Sequence, residues 1–180
     1  MYQAHPTPSA PEEGWTKDDW NTPDWILAPL YVFAGGDFAL DPCSNATSLV
    51  KARLALTKED DSLDCDWDAD GTIFVNPPYS KGAYLAFAQK IAAEAKAGRE
   101  IVALVPTNCE TEAWTDNFWG ADAVCFVGRR VRFLKDGKPK GSPAGGSALV
   151  YFGRRPAAFS MAVEELGKVV FPRALPADLT

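Results

Sequence analysis

The chain has 180 residues, of which 47% are hydrophobic and 23% charged, the composition of a soluble globular protein. This length suits a single domain with one substantial core, and no apolar run approaches the roughly 20 residues that cross a membrane. Four cysteines without a CxxC pair and a single histidine argue against a metal site. Since the N-terminus also lacks a signal pattern, we expect a cytoplasmic protein with reduced thiols.

The charges are distributed unevenly along the chain, whose formal net charge is −6. Residues 1–70 contain 14 acidic and 4 basic side chains, whereas residues 71–180 contain 10 acidic and 14 basic ones. A basic cluster runs through Arg129, Arg130, Arg132, Lys135, Lys138 and Lys140. Such a face on an acidic body can neutralise phosphates and steer binding, although a solvated charged hairpin would have the same composition. We therefore expect modest, salt-sensitive affinity if the partner is a nucleic acid.

A helix and a short strand are the first predicted elements after a Pro-containing N-terminal segment. Thr22 suits the N-cap of the helix and Pro23 its first position, because proline lacks the N–H that a helix start leaves unpaired. The helix is predicted to continue to about Phe33 and to end at Gly35-Gly36. A strand is then predicted from Asp37 to Asp41.

The tetrapeptide Asn76-Pro77-Pro78-Tyr79 is the most informative motif in the chain. It follows Thr72 to Val75, a β-branched and aromatic run that predicts a buried strand. Two prolines cannot continue a strand, because they donate no ladder hydrogen bonds. The chain should therefore leave the sheet at the strand's C-terminal edge, where open α/β sheets bind ligands. A rigid Asn-Pro turn without chemical function would also explain the pattern.

Asn-Pro-Pro-Tyr resembles the catalytic motif of amino-group methyltransferases that use S-adenosylmethionine, which implies methyl transfer to an exocyclic amino group whose lone pair is delocalised into its ring. Two hydrogen-bond acceptors can hold the two N–H groups of the amine and turn its lone pair towards the methyl group. The Asn76 side-chain oxygen and the Pro77 carbonyl are such acceptors, and the Tyr79 ring offers a face for stacking. Orientation and electrostatics can supply most of this catalysis, so no strong general base is required.

Helices and strands alternate through the rest of the chain. The predictions are a helix from an N-cap at Ser80 to Gly98, a strand from Ile101 to Val105, a short helix from Glu110 to Trp119, strands from Asp122 to Val127, Val131 to Leu134 and Ser147 to Phe152, and a helix from Ala157 to Leu166 that closes at Gly167. The alternation argues for a mostly parallel α/β sheet, and the last two strands suit an antiparallel edge. Residues 46–56 fit neither the helical nor the strand period.

Five segments in this order make the chain resemble the phage- and prophage-encoded Dam-type DNA N6-adenine methyltransferases. They are Trp20-x-Thr22-Pro23, Asp41-Pro42-Cys43, Glu59-Asp60-Asp61-Ser62-Leu63 with Trp67, Asn76-Pro77-Pro78-Tyr79-Ser80, and Gly128-Arg129-x-x-Arg132-Phe133. The resemblance implies a Rossmann-like fold dependent on S-adenosylmethionine, in a compact domain at residues 20–172 between flexible tails at 1–19 and 173–180. It also implies methylation of the N6 amino group of adenine in double-stranded DNA, with Asn76, Pro77, Pro78 and Tyr79 as catalytic residues.

The same resemblance implies a set of cofactor contacts. They are Thr22, Pro23, Asp41, Pro42, Cys43, Asp61, Leu63 and Asn76. Thr22 and Pro23 would lie beside the methionine part of S-adenosylmethionine, and Asp41 would face its amino group. Asp61 and Leu63 would hold its adenine. Asp41 could instead cap a turn, Asp61 could belong to a solvated acidic loop, and we interpret Trp67 as core.

The implied DNA contacts are Ser80, Arg129, Arg130, Arg132, Phe133, Lys138 and Lys140. The target adenine must leave the duplex, which costs a few kcal/mol that stacking on aromatic rings partly restores. Tyr79 and Phe133 are the candidate rings, although Phe133 could equally be core. The arginines could hold phosphates or read guanine edges, and the Gly137 to Gly146 loop could become ordered on DNA or simply connect a hairpin.

The chain departs from better-known methyltransferases in three ways. Asp41-Pro42-Cys43-Ser44 replaces a glycine-rich loop, the acidic residue that holds the ribose hydroxyls is unassigned, and no separate recognition domain fits. The alternatives are therefore an amino-methyltransferase of RNA or of a protein glutamine amide, or a non-catalytic DNA-binding module. We expect a monomer or weak dimer without a metal or membrane partner. If the chain is phage-encoded, we expect it to act in the cytoplasm of the bacterial host, with a role in restriction-modification.

Overall fold

The structure is a computed structural model that describes residues 20–80, 82–135, 137–141 and 145–173. The predicted N-terminal tail at 1–19 lies outside the described residues, and so does the predicted C-terminal tail at 173–180 apart from Arg173. The helices are α1 Asp24–Ala34, α2 Ala83–Lys96, α3 Glu112–Asp116 and α4 Pro156–Ala162. The strands are β1 Phe38–Asp41, β2 Ala52–Ala55, β3 Thr72–Val75, β4 Glu100–Pro106, β5 Ala123–Val127, β6 Phe133–Lys135, β7 Lys138–Gly141, β8 Ser147–Phe152 and β9 Gly167–Val170. None of the described helices is long and apolar enough to cross a membrane.

Seven of the described strands form one twisted sheet in the order β2-β1-β3-β4-β8-β5-β9. Strands β2, β1, β3, β4 and β5 run in one direction, and β8 and β9 run against them. This arrangement confirms the predicted α/β class, mostly parallel with an antiparallel edge, and agrees with the expected Rossmann-like architecture.

The antiparallel edge is formed by β9 and not by the predicted strand pair. Strand β8, predicted to belong to that pair, lies inside the sheet between β4 and β5. All six of its residues are buried, as expected for a strand with apolar side chains on both faces. In β9 the burial alternates, so one side meets solvent. Gly167 begins β9 and does not close a helix as predicted. Glycine is required there because a Cβ would collide with the Phe126 carbonyl oxygen of the neighbouring strand.

Two layers of helix cover the faces of the sheet. Helices α2 and α3 pack on one face through Phe87, Ile91 and Trp114, all buried. Helices α1 and α4 pack on the other face through a cluster that includes Leu30 and Phe159. Burial of each large apolar side chain stabilises the fold by about 1.5–3 kcal/mol. Trp67 is fully buried in the first cluster, which confirms its interpretation as core.

Both helices next to the predicted motifs begin later than expected. Pro23, with extended backbone, is the N-cap residue of α1, so Thr22 lies one position earlier and caps nothing. Helix α2 begins at Ala83 after Gly82, whose φ of 95° suits glycine, and Ser80 is therefore not its N-cap. The Ser80 carbonyl nevertheless accepts a hydrogen bond from the Tyr84 N–H at 3.1 Å. The predicted end of α1 at Gly35 is confirmed, with φ of 78°.

The segment between β1 and β3 and the segment after β5 also differ from the predictions. Residues 46–56 contain β2, which pairs in parallel with β1 at the edge of the sheet. A 3₁₀ turn at Lys58–Asp60 follows it, and no helix is formed there among the described residues. Strand β6 begins at Phe133, two residues later than predicted, and pairs with β7 in a hairpin separate from the main sheet. On its other side, Leu134 of β6 forms an antiparallel bridge with Asn21.

Candidate active site

The C-terminal ends of the parallel strands bring the predicted motifs together. Asp41 ends β1, and Asn76 directly follows β3, the strand that pairs with β1. Thr107 follows β4, and the basic segment that starts at Gly128 follows β5. Since these strands run in one direction, all four positions lie at the same edge of the sheet.

The Asn76 amide is held in one orientation by two hydrogen bonds. Its Nδ2 donates to the Trp20 carbonyl at 3.2 Å, and its Oδ1 accepts from the Tyr79 hydroxyl at 3.1 Å. An amide oxygen accepts two hydrogen bonds, so Oδ1 can accept a further N–H. Pro77 is buried beside it, and Pro78 lines the adjacent pocket.

Tyr79 is partly buried over this edge of the sheet. Its hydroxyl lies 3.1 Å from the Leu104 carbonyl oxygen as well as from Asn76. Its ring meets Tyr84 and Phe133 edge to face, with centroids 6.1 and 5.9 Å away. Burial, with smaller effects from Tyr84 and Cys43, raises the pKa of the Tyr79 phenol well above its ordinary value, so the group is a neutral hydrogen-bond donor.

Trp20 is a site residue to which the sequence assigned no role. Besides accepting from Asn76 through its carbonyl, it stacks its ring on Phe133 at 5.9 Å. The same ring closes over Gly141 of β7, where a Cβ would lie 3.1 Å from it. Phe133 is only 1% exposed, so the structure places it in the core, the alternative that its sequence position left open, and it presents no open ring face to a base. Trp20 is the first residue of the motif Trp20-x-Thr22-Pro23, and this position was the sequence feature that could have indicated a role at the site.

A pocket of about 620 Å³ opens beside Asn76, within the size range of small-molecule sites. Of the predicted cofactor contacts, it is lined by Pro42, Cys43, Asp61, Leu63 and Asn76. Ser80, predicted to contact DNA, also lines it. The sequence missed Asn45, Thr57, Glu59 and Phe87. Thr22, Pro23 and Asp41 are not among its lining residues.

One wall of the pocket is formed by the turn from Thr57 to Asp61, which contributes Lys58 as well as acidic side chains. The Asp60 carboxylate accepts from the Thr57 N–H and hydroxyl at 2.8 and 3.0 Å, which closes the 3₁₀ turn and lowers the pKa of Asp60. Glu59 and Asp61 on either side of it line the pocket. Asp61 has φ of 44°, the only positive φ among the described non-glycine residues. Backbone strain of this kind concentrates at ligand sites.

Asp41 supports the pocket from a buried position. It is 2% exposed, and its Oδ1 accepts from the Cys43 N–H at 3.1 Å. Burial raises its pKa to about 6, and hydrogen bonds from Cys43, Ser44 and Ser48 partly oppose the shift. Asp41 therefore has the contacts of a turn-capping residue and does not line the pocket. Its expected contact with the amino group of a cofactor stays a prediction. Burial and the charge of Asp41 also raise the pKa of the Cys43 thiol.

An asparagine pair joins the Trp20 segment to the rim of the pocket. Asn21 donates through Nδ2 to the Thr47 carbonyl at 2.7 Å and accepts from Asn45 Nδ2 at 3.0 Å. The next residue, Thr22, is 1% exposed, and its hydroxyl has no hydrogen-bond partner among the described residues. The sequence missed both residues, although Asn21 is the unspecified position of Trp20-x-Thr22-Pro23 and Asn45 lies two residues after Cys43.

The basic segment lies at the same edge of the sheet as Asn76. Arg129, Arg130 and Arg132 are exposed between β5 and β6, and Lys138 is exposed on β7. The Arg129 guanidinium lies 3.8 Å from the centre of the Trp25 ring, which holds it against α1. The Lys140 side chain lies outside what the structure describes. Within the described part of the chain, no group of three or more residues could hold a metal ion.

A family model described as DNA N-6-adenine-methyltransferase (Dam) matches residues 11–167. The match contains the pocket, the Asn76 motif and the basic hairpin, and it extends through most of the chain. No curated protein matches the chain. The matched family acts on the adenine amino group in DNA, the chemistry that the acceptor pair at Asn76 and Pro77 suits. The chain belongs to the Dam family of DNA N6-adenine methyltransferases.

Proposed function

We propose that the chain transfers a methyl group from S-adenosylmethionine to the N6 amino group of a flipped-out adenine in double-stranded DNA. The observation that carries this proposal is the amide of Asn76, which two hydrogen bonds hold in one orientation at a pocket of about 620 Å³. The amine would donate to Asn76 Oδ1 and to the Pro77 carbonyl, while the Tyr79 ring stacks on the base.

The residues of the pocket fit S-adenosylmethionine. When bound, this cofactor supplies a methyl group activated by a positively charged sulfur. The carboxylates of Glu59 and Asp61 complement its positive charge and can accept from its adenine amino group or ribose hydroxyls. Leu63 and Phe87 provide apolar walls.

The chain contributes orientation rather than a strong base. Asn76 and Pro77 hold both N–H groups of the amine, which favours a pyramidal nitrogen with its lone pair turned towards the methyl group. The nitrogen would form the new N–C bond as the methyl–sulfur bond breaks, the leaving group would be the neutral thioether of the demethylated cofactor, and one proton of the amine would then pass to water. The Asn76 motif thus needs acceptors of fixed orientation, which agrees with the two hydrogen bonds that hold the amide.

The basic segment would hold the DNA next to Asn76. Arg129, Arg130, Arg132, Lys138 and Lys140 are the proposed phosphate or base contacts, with Ser80 at the mouth of the pocket. Because the rest of the chain is acidic, binding should depend on this segment and weaken with salt. We further propose a monomer or weak dimer, acting in the cytoplasm of a bacterial host as a phage-encoded or restriction-modification enzyme.

The test is nucleoside mass spectrometry of DNA from a host that lacks adenine methylation and expresses this chain. We expect N6-methyladenine with the wild type and with Asn108→Ala, an exposed asparagine at the same sheet edge. Asn76→Ala should reduce the signal to background while its cofactor Kd stays within a few-fold. Equal methylation by Asn76→Ala would contradict the mechanism, and methyl label on RNA or a protein amide instead of DNA would contradict the substrate.

A further inference from the structure

The Tyr79 hydroxyl has one proton and two acceptors. Asn76 Oδ1 and the Leu104 carbonyl oxygen both lie 3.1 Å from it. A hydroxyl donates one hydrogen bond at a time, so its proton can serve either oxygen but not both. Rotation about the C–O bond moves the proton between them without displacing the ring.

We propose that the Tyr79 hydroxyl is a positioning group that donates to Asn76 Oδ1 and keeps this oxygen turned towards the substrate amine, which takes the second acceptor position of the oxygen. This inference rests on the proposed function and adds to it a role separate from ring stacking. A partly buried amide oxygen without a donor is unfavourable, and the hydroxyl satisfies it before the substrate amine arrives. The acceptor is thus kept in place without any heavy atom having to leave the site.

Two hydrogen bonds favour one of the two orientations that the Asn76 amide can adopt. Turning the amide over would place its oxygen against the Trp20 carbonyl oxygen, where Nδ2 now lies at 3.2 Å. It would also remove the acceptor from the Tyr79 hydroxyl. Trp20 and Tyr79 therefore favour the same orientation from opposite ends of the amide, the orientation that methyl transfer requires.

The ring of Tyr79 is held so that the hydroxyl stays within reach of both oxygens. Tyr84 and Phe133 contact it edge to face, and Phe133 is itself fixed by stacking on Trp20. Tyr79→Phe keeps this ring and removes the hydroxyl alone. Tyr84→Phe is the matched control, because it removes a hydroxyl that lies 3.5 Å from the Pro106 carbonyl and keeps the ring that contacts Tyr79.

The first measurement is made on the cofactor-free protein by NMR of side-chain amides. The Asn76 Nδ2 signals are identified by their loss in Asn76→Asp. We expect Tyr79→Phe to make the exchange of these protons with water several-fold faster, because one of the two restraints on the amide is removed. Tyr84→Phe should leave them unchanged. Unchanged Asn76 signals in Tyr79→Phe would overturn the proposal whatever the substrate is.

The second measurement is single-turnover methyl transfer at saturating DNA and cofactor. Tyr79→Phe should slow it about tenfold, the worth of one hydrogen bond of about 1.4 kcal/mol, with the cofactor Kd and the KM for DNA within about twofold. Tyr84→Phe should match the wild type. A wild-type rate in Tyr79→Phe would overturn the positioning role. If the wild type itself methylates no DNA, the proposed function fails, and the amide signals alone decide whether Tyr79 restrains Asn76.

Discussion

Burial changes the pKa of individual side chains at this site, and Asp41 is the clearest case. Its carboxylate is 2% exposed and caps the turn that carries Pro42 and Cys43 into the pocket. Burial raises its pKa from 3.8 to about 6. The folded protein therefore binds this proton more tightly than the unfolded chain does, and unfolding releases it in the intervening pH range.

We predict that Asp41 makes the protein less stable as the pH rises from about 4 to about 6. A shift of two pKa units corresponds to about 3 kcal/mol, so stability relative to Asp41→Asn should fall by up to that amount. Asparagine keeps an oxygen for the Cys43 N–H but does not titrate. Urea unfolding across pH 4–7 measures the difference, and parallel stability curves for the two proteins would contradict it.

How far the site could be predicted also depends on single residues. Asp61 and Leu63 line the pocket together with Asn76, and their predicted contacts with a cofactor stay predictions. Asp41 and Phe133 belong to the right segments but turn inwards, because a motif gives the order of residues and not their contact partners. Trp20 acts at Asn76 through a backbone carbonyl, which any residue type could supply.

At the scale of elements, periodicity identified most strands and helices but not how the strands pair. Strand β8 is apolar on both faces, so its sequence was compatible with any buried position, and only the assembled sheet places it between β4 and β5. The pairing of β6 with β7 was missed for a related reason, since a strand was predicted from Val131 to Leu134 but β7 was assigned to the loop that follows it. The strands of this hairpin are short and rich in charged side chains, and its packing depends on Trp20, more than 100 positions away in the chain.

The hairpin and the segment before it form an element whose proposed role can be tested by salt dependence. Arg130→Ala and Arg132→Ala should each weaken DNA binding and reduce the slope of log K against log salt by about 1, since each would remove about one phosphate contact. The measurement is fluorescence anisotropy with a DNA duplex at several salt concentrations.

Lys96→Ala is the control for that experiment. Lys96 is exposed at the end of α2, at the opposite edge of the sheet, and its loss changes the net charge equally. A slope that Arg130→Ala, Arg132→Ala and Lys96→Ala reduce alike would mean that binding responds to net charge and not to this segment.

At the scale of the whole molecule, the two edges of the sheet have different roles. The edge opposite Asn76 is joined by a network centred on Glu100, the first residue of β4. Glu100 accepts from Arg155 at 2.5 and 3.0 Å, from Tyr151 at 2.7 Å and from Thr72 at 2.7 Å. Arg155 also lies over the Phe33 ring at 4.4 Å. The network thus links α1, β3, β4, β8 and the start of α4.

We expect Arg155→Ala to destabilise the protein without impairing its chemistry. Although burial alone would raise the pKa of Glu100, its hydrogen bonds with Arg155, Thr72 and Tyr151 hold that pKa below 4.5. Because Arg155 is about half exposed, the loss should be about 1–2 kcal/mol, or roughly 2–8 °C in Tm. The loss should be largest above pH 4.5 and shrink as acid protonates Glu100.

Thermal melting and single-turnover methyl transfer at low temperature together test this division of roles. Arg154→Ala removes the exposed neighbouring arginine and should change neither measurement. Arg155→Ala should melt earlier yet transfer methyl at the wild-type rate, because the Asn76 motif lies at the other end of β3 and depends on Trp20 and Tyr79. A slower rate at a temperature where the variant remains folded would show that the two edges are coupled through the central strands.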